Sequence, residues 1–386
     1  MWAKINMFRT TPRILMGPGA VSRTGEELSR LGAGMALVVT DQGILKAGLL
    51  EKVEKALRSF RIKSLVFDAV EPDPPYELVE RCLEAAGGRK IHCVLGLGGG
   101  SALDIAKAAS VMATNKGKIS DYFGIELIPK AGLPLVLVPT TAGTGSEVTP
   151  IAILSDEQEK LKKGIVSSHL IPSVAILDPE LTLGLPPQVT AATGMDALIH
   201  AIEAYTSLNA NSMTDLLASR AMELLYHNIR TAFAQGGNLE ARARMLEGSL
   251  LAGMAFANAG VTAVHAFAYP IGAEFHIPHG IANSLMLAPV MEFNMLGDLE
   301  KFAHMARIFK EETPGSSPRA LALKAVEAME QLRRDLGLPG HLGDFGVGTD
   351  DIPRLAAGVM KVTRLLANNP RPVTQRDAEE IYRKVL

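Results

Sequence analysis

Cysteine is nearly absent from this chain of 386 residues. The two that occur, Cys82 and Cys93, have no C-x-x-C spacing and no partner set. That excludes a disulfide framework and reads as buried thiols in a reducing compartment. An excess of one charge is lacking too. The net charge is −2, so no global field draws the chain to nucleic acid or acidic lipid. The opening MWAKINMFRTTPR has no apolar core of the kind a signal peptide needs, and the expected location is the cytoplasm. A charge-free run does exist, from Gly248 to Ala273, long enough to span a bilayer. Asn258, His265 and Pro270 interrupt it, much of it is Ala or Gly, and no aromatic belt or basic flank accompanies it. Tightly packed, buried helices are expected there.

What is present suffices for full cores. The apolar fraction is 47%, and the length predicts two domains. The first half alternates. Short apolar runs, MALVVT (35–40), SLVFDAV (64–70), IHCVLGL (91–97) and LPLVLVP (133–139), are separated by helical patterns such as ILKAGLLEKVEKALRSF and YELVERCLEAAGG. That order predicts a parallel sheet with helices on both faces. From about Thr190 the patterns are long and helical, as in TGMDALIHAIEAYTS and TDLLASRAMELLYHNIRTAFAQ. The Pro-rich DPELTLGLPPQVT (178–190) lies between the two regimes. The expected division is an α/β domain over 1–185 and an all-helical domain over 186–386.

Two loops follow predicted strands. GLGGGSALDIAKA has Gly at four of five consecutive positions, 96–100. Glycines at a strand-to-helix turn let backbone N–H groups approach a phosphate, and the helix N-terminus favours negative charge. Ser101 and Asp104 also match a capping box, S-x-x-D. The second loop, PTTAGTGSEVT, offers the hydroxyls of Thr140, Thr141, Thr144 and Ser146. Both loops sit at the C-terminal ends of parallel strands, where α/β sheets bind ligands. Asp41 follows MALVVT directly. It can accept ribose hydroxyls or cap the next helix, and position alone does not choose.

Three of the nine histidines, His265, His276 and His279, fall within AVHAFAYPIGAEFHIPHGIAN. In GMDALIHAIEAY, Asp196 and His200 are four residues apart, which puts both on one helix face. Their neighbours are apolar, so the helix is expected to be buried, and a buried carboxylate and imidazole need a strong partner. With His265 and the PHG histidine, His279, the set becomes one carboxylate and three imidazoles. That set suits Fe(II) or Zn(II).

At these residues the chain resembles the iron-containing (group III) alcohol dehydrogenases. The resemblance runs from about Phe8 to NNPRPVT near the C-terminus. It is carried by GGGSALDIAK, TTAGTGSEVT, DPELTLGLP, GMDALIHAIEAY and HAFAYPIGAEFHIPHGIAN. It implies a Rossmann-like N-terminal domain, an all-α C-terminal domain and an active site in the cleft between them. It implies NAD and one divalent metal, Fe(II) or Zn(II), the metal held by Asp196, His200, His265 and His279. His276 is left as a rim or structural residue. Gly98, Gly99, Gly100 and Ser101 would hold the pyrophosphate. Thr140, Thr141, Thr144 and Ser146 would line the cofactor site, with Asp104 counted beside them and Lys162 reaching the cofactor. Asp41 would go with preference for NAD, and Phe256 with the substrate pocket; Ile151 is expected to add to an apolar wall. A homodimer or larger homo-oligomer acting on a short-chain primary alcohol or diol is implied, with no nucleic acid or membrane partner.

Two departures stand out. Many relatives read HALAH where this chain reads HAFAY, so Tyr269 replaces a histidine near substrate and nicotinamide and becomes the candidate proton relay. A phenol is a poor base at neutral pH unless perturbed. Asp73 in EPDPP stands where several relatives carry Asn. Alternatives on the same architecture are a glycerol dehydrogenase-like enzyme with a polar polyol or hydroxy-acid substrate, a dehydroquinate synthase-type lyase, and a non-catalytic NAD-binding protein.

Overall fold

The fold is described from a computed structural model, over residues 5–157 and 161–386. The start of the N-terminal segment, residues 1–4, lies outside the described residues. The chain forms two compact units. One comprises Arg9–Leu185; the other comprises Pro186–Leu386 with the N-terminal segment that ends at Phe8.

The first unit carries the strands β1 (Ile14–Met16), β2 (Met35–Val39), β3 (Lys63–Phe67), β4 (Cys93–Gly98), β5 (Gly124–Ile125), β6 (Leu135–Pro139), β7 (Ile151–Asp156), β8 (Leu161–Val166) and β9 (Val174–Leu177). Its helices are α1 (Thr24–Arg30), α2 (Gln42–Lys46), α3 (Leu49–Ser59), α4 (Leu78–Glu84) and α5 (Gly100–Met112). Six strands form one parallel sheet in the order β1-β9-β6-β4-β2-β3. The apolar runs are strands because both faces of the sheet are covered. Leu37 and Val39 of β2 enter the core that holds α4 and α5, while Ala36 and Val38 enter the opposite core. Strands buried on both faces read as continuous apolar runs, not alternation. From β2 the chain crosses to β3 on one side; from β4 it crosses to β6 on the other. The C-terminal ends of β2 and β4 therefore mark the switch point at which such sheets bind ligands. A separate sheet has the order β5-β8-β7, with β7 and β8 antiparallel.

The second unit is all helical: α6 (Pro187–Thr206), α7 (Ser212–Ala234), α8 (Leu239–Ala259), α9 (Ala263–Phe275), α10 (His279–Asn294), α11 (Leu299–Ile308), α12 (Pro318–Asp335), α13 (Ile352–Lys361), α14 (Thr363–Leu366) and α15 (Gln375–Arg383). Pro187 opens α6, where its missing N–H costs nothing. Asn211 caps α7 through Met213 and Thr214 N–H. The charge-free run becomes the end of α8 and the whole of α9 up to Ala273, the two helices bent by 101°. No single described helix is long and apolar enough to cross a membrane.

Candidate metal and dinucleotide sites

In the helical unit, α6 presents Asp196, His200 and Glu203 at successive spacings of four and three. All three are buried, with Glu203 fully so. Helix α9 contributes His265, which is 2% exposed. Helix α10 contributes His279 as its first residue and Asn283 one turn on. The donor atoms converge. Asp196 Oδ1 lies 3.7 Å from His279 Nε2 and 3.9 Å from His265 Nε2. The three residues offer ligand atoms all within 4.8 Å of one another. His200 stands against this triplet, its Nε2 3.1 Å from that of His265.

Glu203 decides which atom of His265 faces the cluster. Its Oε2 is hydrogen-bonded to His265 Nδ1. Its Oε1 accepts from the Thr262 N–H (3.0 Å), the Thr262 hydroxyl (2.9 Å) and the Val264 N–H (2.8 Å) at the start of α9. A carboxylate is an acceptor, so Nδ1 carries the ring proton and the Nε2 lone pair points into the cluster. The Asn283 amide nitrogen sits 2.8 Å from Asp196 Oδ1, 3.1 Å from His279 Nε2 and 3.2 Å from His265 Nε2. Two amide protons face three acceptors, so the cluster holds more lone pairs than this donor can satisfy. Burial resists charge on Asp196. The facing imidazoles of His200, His279 and His265 and the Asn283 amide outweigh it, and the carboxyl is held down at about 2. One ionised carboxylate and converging imidazoles fit a borderline divalent cation.

The surroundings are aromatic. Phe256, nearly buried, stacks on His200 with centroids 4.3 Å apart. Tyr269 is half-buried. It meets His265 edge-on at 6.4 Å and lies 6.2 Å from His279. Burial, with the charges of Glu203 and Asp196 against that of Arg364, pushes its hydroxyl up to about 12. His276 is exposed and ends α9 in the left-handed region at φ 54°.

In the α/β unit, the two loops leave neighbouring strands. Gly98 of β4 pairs with Pro139 of β6, and the Thr140 N–H donates to the Gly98 carbonyl at 3.0 Å. Gly98 has φ +152°, and a Cβ there would meet the Ala102 Cβ at 2.8 Å and Asp41 Oδ2 at 3.2 Å. A Cβ on Gly100 would meet Thr144 Cγ2 at 2.6 Å. Both glycines are therefore dictated by close approach. The S-x-x-D box does not form. The first residue of α5 is Gly100, and its N-cap, Gly99, makes no side-chain cap bond. Asp104 instead accepts from the Ser146 hydroxyl (2.6 Å) and the Ile153 N–H (2.9 Å), tying the second loop to α5 and β7. Asp41 does cap α2, accepting from the Ile44 N–H at 3.1 Å through Oδ1, while Oδ2 lies beside Gly98. Lys162 on β8 donates to Asp73 Oδ1 at 2.6 Å. Thr141 flanks Gly99, and Ile151 begins β7.

Four buried polar residues in these sites were not singled out from sequence. Glu203 and Asn283 had visible signals, an acid inside an apolar helix and an amide one turn after His279. Lys107 of α5 and Glu147 of the second loop are both buried. Lys107 Nζ donates to Thr149 Oγ1 (3.0 Å) and the Ile151 carbonyl (2.7 Å). Burial pushes Lys107 down to about 8 and Glu147 up to about 7.

Comparison with known proteins accords with this geometry. The iron-containing alcohol dehydrogenase family model matches residues 11–179, and the C-terminal model of the same family matches 190–386. The chain is 43% identical to a 1,3-propanediol dehydrogenase of Citrobacter freundii over 95% of each chain. It is 41% identical to long-chain-alcohol dehydrogenase 1 of Geobacillus thermodenitrificans, over 95% of this chain and 93% of that one. A crystal structure of a 1,3-propanediol oxidoreductase superposes with a TM-score of 0.97 at 40% identity, covering 99% of this chain and 100% of that one. The chain belongs to the iron-containing alcohol dehydrogenase family, oxidoreductases that act on CH–OH donors with NAD and a divalent metal.

Proposed function

We propose that this enzyme interconverts a short-chain primary alcohol or diol and the corresponding aldehyde with NAD(H). In this reading Asp196, His200, His265 and His279 hold one divalent cation, Fe(II) in the cell, with Zn(II) as the competing occupant. The observation that carries it is the convergence of the buried Asp196 carboxylate on the imidazole nitrogens of His265 and His279, the His265 tautomer being fixed by Glu203. A cation held there supplies Lewis-acid polarisation of the substrate oxygen, and the dinucleotide supplies the two-electron acceptor.

The remaining work falls to the chain's own residues. Backbone N–H groups of Gly98, Gly99, Gly100 and Ser101 cradle the pyrophosphate at the start of α5. Thr140, Thr141, Thr144 and Ser146 line the cofactor site, with Asp104 holding Ser146 in place. Asp41 Oδ2 accepts from the adenosine ribose and repels a 2′-phosphate. Lys162, steadied by Asp73, reaches the cofactor. Phe256 and Ile151 supply apolar walls. Tyr269 keeps its proton at neutral pH, so it relays a proton as a hydrogen-bond donor, not as a free base. Positioning of this kind can supply a large share of the barrier reduction. We also propose a cytoplasmic homo-oligomer, supported by the free, buried cysteines and by exposed Ile125, Leu127 and Leu161.

The test is NADH oxidation by Fe(II)-loaded protein under anaerobic conditions across short aldehydes. Turnover that depends on the metal and is lost in Asp196→Ala together with metal content is expected. Metal-loaded protein that binds NADH yet turns over no aldehyde would overturn the reading.

A further inference from the structure

Gly100, Asp104 and Lys107 follow one another on α5 at the spacing i, i+4, i+7, which lines them along one helix face. Each meets the second loop or the strand that follows it. Gly100 lies against Thr144. The Asp104 carboxylate accepts from the Ser146 hydroxyl at 2.6 Å and the Ile153 N–H at 2.9 Å. Lys107, fully buried, donates to Thr149 Oγ1 at 3.0 Å and to the Ile151 carbonyl at 2.7 Å. A buried helix face is ordinarily apolar, yet two members of this one are ionisable.

The reason lies in β7. It is the edge strand of its sheet, paired with β8 on one side only. On its other side the Ser155 N–H donates to the Pro74 carbonyl, and the Ser155 carbonyl accepts from the Tyr76 N–H. Next along that side come the Ile153 N–H and the Ile151 carbonyl, which are met by Asp104 and Lys107. A carboxylate and an ammonium on α5 thus stand where a neighbouring strand would offer a carbonyl and an N–H. The Thr149 hydroxyl that Lys107 holds also reaches back to the Ser146 carbonyl at 3.5 Å. The helix that opens at the glycine loop therefore fastens the second loop from Thr144 to Ile153. Lys107 does so with no exposure to any ligand.

We propose that Lys107, with Asp104, is a positioning residue for the nicotinamide half of the cofactor. It rests on the dinucleotide reading of these loops. Asp41 follows β2, the glycine loop follows β4 and the second loop follows β6, and these strands are neighbours in the order β6-β4-β2. A dinucleotide with its adenosine ribose at Asp41 and its pyrophosphate at the start of α5 lays its nicotinamide half over the second loop. Lys107 keeps that loop in register with the glycine loop. Methionine at this position would fill the same space but leave the Ile151 carbonyl and the Thr149 hydroxyl without their donor.

The experiment uses metal-loaded, full-length wild type, Lys107→Met, Lys107→Gln and Asp104→Asn. Calorimetry gives the affinity for AMP and for NADH, and fluorescence anisotropy decay reports the mobility of the bound nicotinamide. Lys107→Met should bind NADH about 5- to 30-fold more weakly and AMP as tightly as the wild type. The bound nicotinamide should gain fast motion, and kcat at saturating NADH should fall with metal content unchanged. Lys107→Gln, one bond shorter and still a donor, should recover part of the loss. AMP binding doubles as proof that the first unit is folded; should Lys107→Met fail that check, the same comparison on Lys107→Gln and Asp104→Asn decides. Equal weakening of AMP and NADH, or unchanged NADH affinity and anisotropy in a folded Lys107 variant, overturns the proposal and leaves the dinucleotide reading intact. Wild-type protein that binds neither AMP nor NADH overturns the dinucleotide reading itself, and the proposal with it.

Discussion

Replacing Glu203 by Gln removes one charge and leaves the shape almost unchanged, so its effect can be worked from the hydrogen bonds alone. If the new carbonyl takes the Oε1 place, it keeps the Thr262 and Val264 N–H groups and the Thr262 hydroxyl. The amide NH2 then faces His265 Nδ1, which must become an acceptor. The ring proton moves to Nε2, which points at Asp196, His200 and Asn283. A protonated Nε2 cannot ligate a cation. The flipped amide satisfies His265 and instead sets its NH2 against three donors at the start of α9. Either arrangement loses a buried hydrogen bond to a charged group, worth about 1.5–3 kcal/mol. Partners of this kind change metal affinity by about 10- to 100-fold. The assay is Zn(II) or Co(II) affinity by competition with a chromophoric chelator, paired with 15N spectra that report the His265 tautomer. Glu203→Gln should bind metal 10- to 100-fold more weakly and shift the proton from Nδ1 to Nε2. Unchanged affinity with an unchanged tautomer would refute the argument, whatever happened to activity.

Glu147 should make stability fall with pH. Its native value, raised by burial to about 7 from the usual 4.5, means that the folded state holds the proton more tightly. The contribution is therefore full below about pH 4.5 and lost as pH rises through about 7. Glu147→Gln should gain on the wild type by on the order of 1–3 kcal/mol between pH 5 and pH 8 in urea titrations; Lys107, which burial lowers to about 8 and which loses its charge only as pH rises through that value, is present in both proteins. Asp41→Ser keeps a side chain able to accept from the Ile44 N–H and removes the charge beside Gly98. NADPH should gain on NADH by at least tenfold in kcat/KM with little change in melting, and an unchanged cofactor ratio would remove Asp41 from the ribose site.

Much of the first unit was legible because its signals are local. A strand buried on both faces must be apolar throughout, so MALVVT, IHCVLGL and LPLVLVP announced themselves, as did the glycines that no Cβ could replace. The Asp196–His200 pair was legible for the same reason, since spacing along one helix fixes a face. The capping box failed because Asp104 satisfies a partner 42 residues away, Ser146, in preference to its own helix start. Glu203 lay one turn from His200, but its role depends on α9, 62 residues further along. Nothing near Glu203 in the chain distinguishes a carboxylate that orients an imidazole from one that pairs with a lysine.

The helices that bring the donors together do not need a cation to do so. Met195, Leu198, Ile199 and Ile202 on α6 are fully buried, as are Val264 and Phe267 on α9 and Met286 and Val290 on α10. Each such side chain contributes about 1.5–3 kcal/mol by its burial. Tyr382 of α15 closes against the Phe267 carbonyl with a hydrogen bond of 2.7 Å. That packing offsets the entropy of holding His265 opposite His200, so the cluster is built before any ion arrives. A small site whose fold depends on its metal behaves differently and unfolds when chelated. Here chelation should remove only the binding contribution, about 2.7 kcal/mol at a free metal concentration one hundred times the Kd. For a unit of roughly 200 residues that is a fall in Tm of about 5–11 °C. Far-UV circular dichroism of the chelated protein at 25 °C should be unchanged, and metal added back should restore the higher Tm. Loss of helical signal on chelation would mean that the donor atoms, not the apolar faces, hold α6, α9 and α10 together.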